Sequence, residues 1–348
     1  MMSPLVECVP NISEGRDLEK IERIVDSVRR IEGCTVLGVE PDHDYNRTVI
    51  TFAGPPGPVL EGAVALILAS IETLDMRNHK GEHPRLGVVD VCPFIPLRDM
   101  NMEEAADLAR QAVNKVASVV QVPLFLYGAA ASHDDRHLLS TLRKGEYEGL
   151  EARLTGGETN HQATTRMPDV GEMGWTELVS KSGGITVGAR STLVAYNVNV
   201  DEKDGVVAKK IGSIVRSSGR LLKSDAGVKV RTGGMLPMVQ GMGVPLEELG
   251  ISQVSMNLRD VKQCPLHLAF MACKSIANDH GIDVAGSEIV GLVPLSAMLE
   301  TGAFFSPDET DEHQLVLAAV EGLGLNQHHQ FDPHTGIIEW ALAAEVVE

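Results

Sequence analysis

Aromatic side chains are scarce in this chain: Phe, Tyr and Trp together supply 4% of its 348 residues, with only two tryptophans. Little is therefore offered for stacking on nucleic-acid bases. Bases are outnumbered as well, 30 Lys and Arg against 48 Asp and Glu, and a net charge of -18 is repelled by a phosphate backbone. Cysteine is sparse. The five residues Cys8, Cys34, Cys92, Cys264 and Cys273 are odd in number, scattered and without CxxC spacing. Four of them fall in apolar or helix-like segments, so reduced core thiols are expected rather than disulfides or a zinc site. No GxxxxGK[ST] loop is present, no GxGxxG follows a strand and no GxSxG elbow occurs, which excludes a P-loop nucleotide site and removes the usual dinucleotide and hydrolase signatures. The longest unbroken apolar run, Ala63 to Ser70, falls far short of the roughly 20 residues of a membrane span. The opening Met-Met-Ser-Pro lacks the basic and then apolar stretch of a signal peptide. A cytoplasmic protein is the expectation, without nucleic-acid or membrane partners.

What is present is ordinary globular composition, 43% hydrophobic and 22% charged, in a length that suits two domains at roughly 100–200 residues each. Leu5 to Val9 reads as a strand. A helix follows over Leu18 to Ile31, with Ile21, Ile24, Val25, Val28 and Ile31 on one face and Gly33 as its stop. Strands Cys34 to Val39 and Arg47 to Ala53 are joined by the turn Pro41-Asp-His-Asp44. Pro55 to Pro58 breaks the chain before a helix carrying Val59, Leu60, Ala63, Val64, Ile67 and Leu68, and Leu86 to Cys92 suits a buried strand. The second half repeats the order. Strand Thr192 to Val200 and helix Gly205 to Val215 precede strands Val228 to Arg231 and Ile251 to Leu258, helix Leu266 to His280 and strand Asp283 to Val290. Two such β-α-β-β-α-β units imply an α/β protein of the α+β sandwich type, two ferredoxin-like subdomains with a ligand cleft between them, divided as 1–184 and 185–348. Nothing periodic survives in the connector Thr155 to Gly184, so a functional or disordered loop is expected there, bordering that cleft.

The densest polar cluster is Asp75-Met-Arg-Asn-His-Lys-Gly-Glu-His-Pro-Arg85, a loop before an apolar strand. His79 and His83 are four apart, but Gly81 and Pro84 disfavour the helix that would aim both imidazoles at a metal, and the order is not HExxH. Two other readings remain: a solvated loop with ordinary histidines, or acid-base chemistry by a side chain whose ordinary pKa lies near neutrality. Glu40-Pro-Asp-His-Asp-Tyr-Asn-Arg47 is a second cluster, which alone would be a solvated hairpin turn. A third feature is charge reversal. Lys209 to Arg231 holds seven bases against one acid, Asp225, and would attract an anionic ligand. Residue chemistry stops at a protein that handles a small anionic molecule by proton transfer and positioning.

Longer strings go further. Glu7-Cys-Val-Pro-Asn-Ile-Ser-Glu-Gly-Arg16, Asn46-Arg-Thr-Val49, the cluster ending in Gly81-Glu-His-Pro-Arg85, Asp90-Val-Cys-Pro-Phe-Ile-Pro96 and Leu126-Tyr-Gly128 occur in order. Val187-Gly-Ala-Arg190, Ala195-Tyr-Asn-Val-Asn199, Gln253-Val-Ser-Met-Asn-Leu258 and Gly286-Ser-Glu-Ile-Val-Gly-Leu-Val-Pro-Leu295 continue them. Together they resemble the glutamate formimidoyltransferase family. The resemblance implies an enzyme of histidine degradation and one-carbon metabolism that moves the formimino group from N-formimidoyl-L-glutamate to N5 of tetrahydrofolate, without a metal or a nucleotide. It implies two α/β subdomains with folate held between them, His83 as the catalytic acid-base residue, and an assisting acid at Glu40 or Asp42. Substrate or folate contacts are implied at Asn11, Asn46, Arg47, Arg85, Arg190, Asn197 and Asn257, and at the connector's end, Ser182, Gly183 and Gly184. Gly156 to Thr165 has no family equivalent. The transferase-only form of the family is expected, without the helical cyclodeaminase domain of the vertebrate two-function enzyme, as a homodimer if it associates. Arg190 or the Lys209 to Arg231 stretch is expected to pair with glutamate carboxylates. Rival readings are the conversion of 5-formyltetrahydrofolate to its methenyl form on the same scaffold, a non-catalytic folate-binding or regulatory protein, and a zinc hydrolase.

Overall fold

In the computed structural model, the described residues are 4–81, 83–157, 164–223, 227–246, 249–327 and 330–345. Glu82 of the polar cluster, positions 158–163 of the connector and Asp225 of the basic stretch lie outside them. The chain divides into two units, Met1–Arg190 and Ser191–Glu348.

The first unit opens with β1 (Val6–Cys8), β2 (Asn11–Ile12) and α1 (Leu18–Arg29). Asp17 caps α1 by accepting from the Lys20 amide at 3.2 Å, and Ile21, Ile24, Val25 and Val28 are buried at helical spacing. β3 (Thr35–Asp42), β4 (Arg47–Gly54), α2 (Pro56–Thr73) and β5 (Val89–Pro96) complete a β-α-β-β-α-β core. Its antiparallel order, β3-β4-β1/β2-β5, is the ferredoxin-like one. Three expectations need correction here. Pro41 and Asp42 belong to strand β3, and the turn itself is 43–46. Pro55 to Pro58 starts α2 rather than breaking the chain, because a proline in the first helical turn has no amide to lose. α2 is longer than its unbroken apolar run and passes for a membrane span by length and composition, although half of that window is buried inside the unit.

The sheet then grows beyond the expected four strands. α3 (Met102–Val119) leads to β6 (Leu124–Gly128), and α4 (Leu139–Arg143), α5 (Leu150–Leu154) and α6 (Glu177–Ser182) lead to β7 (Ile185–Ala189). β7 lies parallel between β5 and β6. The division therefore falls after Arg190 rather than after Gly184, because Ile185–Ala189 hydrogen-bonds into the first sheet. The connector is also less loop-like than expected. Leu124 and Leu126 face the main core, while Phe125 and Tyr127 face a second cluster with Leu142, Leu150, Leu154 and Val179. The segment after β6 thus covers the other face of the sheet edge, since alternate strand residues point to opposite faces. Buried guanidiniums hold it together. Arg136 Nη1 donates to Asp169 Oδ2 at 2.5 Å, and Arg153 donates to the Leu142 and Lys144 carbonyls at 3.0 and 2.7 Å.

The second unit contains β8 (Val194–Val200), α7 (Val206–Val215), β9 (Leu221–Lys223), β10 (Lys229–Arg231), β11 (Val239–Leu246), β12 (Ile251–Leu258), α8 (Leu266–Asn278) and β13 (Val284–Val290). Its four-stranded antiparallel sheet, β11-β12-β8-β13, has ferredoxin-like order too. The expected strand Val228 to Arg231 is not in that sheet, because β10 pairs with β9 in a separate two-stranded hairpin. The edge position belongs to β11, which Gly241, Gly243 and Pro245 disguise in sequence. α9 (Leu295–Phe305), α10 (Glu312–Leu323), α11 (Pro333–Gly336) and α12 (Ile338–Glu345) follow the core repeat. All five cysteines are free and buried, as expected.

Candidate active site

Three backbone segments converge at the loop end of the first sheet. A Cβ on Gly15 would lie 2.1 Å from the Asp42 carbonyl oxygen, and one on Gly81 would lie 2.2 Å from the Tyr45 carbonyl oxygen. Only glycine lets these segments clamp the 43–46 turn from both sides. Asn46 locks the clamp. Its φ of 49° puts it in the left-handed region, its Oδ1 accepts from the Gly15 amide at 2.9 Å, and its Nδ2 donates to the Lys80 carbonyl at 3.0 Å. His79 Nε2 donates to the Asn46 carbonyl at 2.9 Å, and His79 Nδ1 accepts from Arg85 Nε at 3.2 Å. With both ring nitrogens engaged, His79 has no lone pair left for a metal. Among the described residues, no group of three or more His, Cys, Asp or Glu is placed to hold a metal ion.

Asn46→Ala is expected to lower stability by about 2 kcal/mol, because it strands the buried Gly15 amide, loses the bond to the Lys80 carbonyl and keeps the left-handed backbone. Urea unfolding checks this. A loss below about 0.5 kcal/mol, the level of an ordinary surface change, would show that the clamp does not depend on Asn46.

The clamp presents His83. Arg47, the first residue of β4, donates Nη1 to His83 Nε2 at 2.7 Å, and the Tyr45 ring meets the imidazole edge-on at 5.9 Å between centroids. Arg47 lies on the sheet face opposite Ile50 and Phe52, which point into the helix-covered core. The cleft around the pair is lined by Ser13, Tyr45, Asn46, His79, Arg85 and Asp90, and its 170 Å³ of void is too narrow to admit water. Beneath it, Asp90 is 1% exposed and accepts from the Leu86 amide at 3.0 Å and from Arg143 Nε at 3.1 Å. Arg85 turns away toward Glu148, with bonds of 2.8 and 2.5 Å, and toward Glu146 at 3.2 Å. There it borders a wider open groove of about 680 Å³.

The structure thus brings Asn46, Arg47, His83 and Arg85 together. Asp42 opposes Arg47 in the hairpin register, but its Oδ1 is occupied by the Asp44 and Tyr45 amides at 3.0 and 2.9 Å. Glu40 is one cross-strand pair away on the same strand face and caps no turn. Asn11 donates to the Val9 carbonyl at 3.1 Å. Ser182, Gly183 and Gly184 are buried under the loop after His83. The Val88 amide donates to the Ser182 carbonyl at 2.8 Å, and the Gly184 amide donates to the Leu86 carbonyl at 3.0 Å. Arg190 ends the first unit, its amide bonded to the Phe94 carbonyl at 3.2 Å. Asn197 and Asn257 belong to the second unit, on β8 and β12. Asn197 donates to Glu288 at 3.5 Å, whereas Asn257 is exposed. In the basic stretch, Arg216 is spent on the Gly219 carbonyl at 2.9 Å and Arg231 on the Ser218 carbonyl at 3.0 Å, while Lys223 and Lys229 face solvent on the hairpin. Sequence reasoning missed Asp90 and Arg143 as site residues. Asp90 lies inside a quoted string, but its partner is 53 residues away.

Burial lowers the pKa of His79, His83 and His267, and the Arg47 charge adds to the effect at His83. An unfolded chain takes up these protons near pH 6.5, the folded one only at lower pH. Their contribution to stability is therefore present above about pH 6.5 and is lost as pH falls through the folded values. His267 stacks on Phe304 at 4.4 Å. His267→Phe is expected to keep the stack and to flatten the fall in urea midpoint between pH 7 and pH 5. An unchanged slope would mean that this ring titrates alike in both states.

Comparison with known proteins adds the family. The model described as "Formiminotransferase domain, N-terminal subdomain" matches residues 5–190, and the one described as "Formiminotransferase domain" matches residues 195–343. A formimidoyltransferase-cyclodeaminase of Dictyostelium discoideum is 38% identical over 99% of this chain and 62% of its own length. That of Rattus norvegicus is 39% identical over 97% of this chain and 60% of its own length. The chain thus spans about three fifths of these relatives. A glutamate formimidoyltransferase of Streptococcus pyogenes serotype M1 is 34% identical over 91% of this chain and 98% of its own length.

Proposed function

Because the chain belongs to the formiminotransferase family, we propose that it moves the formimino group of N-formimidoyl-L-glutamate to N5 of tetrahydrofolate, releasing L-glutamate and 5-formimidoyltetrahydrofolate. Tetrahydrofolate is the co-substrate, and the reaction takes place in the cytoplasm. The observation that carries this reading is a half-buried imidazole, His83, held by a guanidinium in a cleft built from the strings that carry the family resemblance.

The chemistry suits the residues. N5 attacks the amidine carbon and forms a C–N bond, giving a tetrahedral intermediate. His83 accepts the proton from N5 and donates it to the glutamate nitrogen as the old C–N bond breaks. Nothing is oxidised and the ring ends neutral. A positioned acid-base group of this kind contributes about 10²–10⁴-fold, and holding both substrates together supplies much of the remainder. Glu40 is assigned as the assisting acid rather than Asp42, whose carboxylate already holds the 43–46 turn. Asn46 acts as the clamp of the loop. Ser182 to Gly184 support the backbone after His83, and folate contacts are assigned to the side-chain amides of Asn11, Asn197 and Asn257. Arg190 or the exposed hairpin lysines pair with glutamate carboxylates.

A spectrophotometric assay with tetrahydrofolate and either donor tests the reading. Product from formimidoylglutamate without ATP is expected. Turnover only of 5-formyltetrahydrofolate, with ATP, would instead establish the cyclo-ligase reaction, and folate binding without turnover of either would make the chain a binding protein.

A further inference from the structure

The contact between Arg47 and His83 has a direction. A guanidinium only donates hydrogen bonds, so the nitrogen 2.7 Å from Arg47 Nη1, His83 Nε2, must present its lone pair. The single proton of the neutral ring then sits on buried Nδ1, and the Pro84 backbone is the ring's other hydrogen-bonding contact. While Arg47 stays in place, Nε2 cannot take a proton, since two N–H groups would face each other. The guanidinium itself is under-used, because Arg47 Nε is buried without a hydrogen-bond partner among the described residues. The carboxylates nearest to it are committed elsewhere, Asp42 to the turn amides and Asp90 to Arg143 and the Leu86 amide. A half-buried guanidinium with an unfilled donor is a receptor for an oxygen anion. The cleft around the pair is too narrow to hold water.

We propose that Arg47 masks His83, and that the carboxylate of the glutamate-bearing substrate draws the guanidinium away and frees Nε2 as the base. The inference rests on the transfer reaction proposed above. It makes Arg47 a positioning residue that couples substrate binding to the availability of the base. The free protein keeps its imidazole neutral and unreactive, and the anionic substrate supplies the unmasking. Other groups bear on the ring as well: the Tyr45 edge from the turn, Asp90 from β5, Arg143 from α4, and His79 and Arg85 across the cleft. Glu82 adjoins it in sequence and lies outside the described residues. Burial and the Arg47 charge both hold the ring's pKa below the ordinary histidine value, in keeping with a masked base.

Long-range ¹H–¹⁵N spectra of the full chain labelled with ¹⁵N-histidine, recorded from pH 5 to 9, read this out without any turnover. His83 is assigned by the signal lost in His83→Gln. The free protein is expected to carry the His83 proton on Nδ1, with a depressed pKa. Saturating L-glutamate is expected to raise that pKa by about one unit, the size of one charged hydrogen bond exchanged. Arg47→Met is expected to show the raised value and mixed tautomers without ligand, and no further response to glutamate. An Nε2–H tautomer in the free protein, or a wild-type pKa indifferent to glutamate, would overturn the proposal even if Arg47→Met failed to fold. A wild-type chain that shows the tautomer and the shift yet transfers no formimino group would instead overturn the proposed reaction and leave the masking contact standing.

Discussion

His83→Ala is expected to lower kcat for formimino transfer by about 10²–10⁴-fold while leaving the fold intact. The side chain bonds Arg47 and the Pro84 backbone, and its ring is half-buried at a loop rather than packed in either core cluster. Its removal therefore costs chemistry rather than packing. KM for both substrates should move much less than kcat, since binding is assigned to other groups and only the proton relay is lost. Steady-state kinetics beside a circular-dichroism spectrum separates the two effects. Turnover within a factor of a few of wild type, on a folded variant, would remove His83 from the reaction.

Asp90→Ala should have the largest effect on stability. The carboxylate is 1% exposed, receives both Nε and Nη2 of Arg143, and accepts from the Leu86 amide. Alanine leaves a half-buried guanidinium and a buried amide without their acceptor. Breaking such a pair from one side costs about 3–5 kcal/mol, a large share of the roughly 5–15 kcal/mol that holds a domain together. The loop that carries His83 and Arg85 leads directly into this contact, so activity should fall as well. Urea unfolding followed by Trp175 fluorescence in a Trp340→Phe background reports the first unit alone, as these are the two tryptophans of the chain. A loss under about 1 kcal/mol, the net value of one ordinary hydrogen bond, would mean that the pair is dispensable.

Elements with strong local signals were legible in the sequence. α1 shows four buried residues at helical spacing behind an Asp cap, and β12 spans Ile251–Leu258 with the bounds its alternation suggests. α3 carries a subtler signal, since Asn101 and Glu104 form a capping box ahead of a helix whose buried face is mostly alanine. β6 and β7 are a different case. Short apolar runs do not announce that they will pair in parallel across the 56 residues between Gly128 and Ile185, and that pairing depends on the whole intervening layer. β11 was hidden by its glycines and proline, which are tolerable at a sheet edge.

The site divides along the same line. His83, Arg47 and Asn46 sit in dense polar strings that stand out in an otherwise average chain. Asp90 and Arg143 do not, because an acid at a strand end and a base on a five-residue helix acquire meaning only when the fold buries them together. Glu40 and Asp42 were equivalent by sequence. Hydrogen bonding distinguishes them, since one carboxylate holds the turn and the other does not.

The most direct measurement follows the transferred group itself. The chain is incubated with tetrahydrofolate and N-formimidoyl-L-glutamate carrying ¹³C in the formimino carbon, and the label is traced by NMR. The account expects the ¹³C on N5 of the folate, with one L-glutamate released per label moved and no ATP consumed. Label that stays on glutamate, or that leaves it as free formamide or formate without reaching the folate, would contradict it.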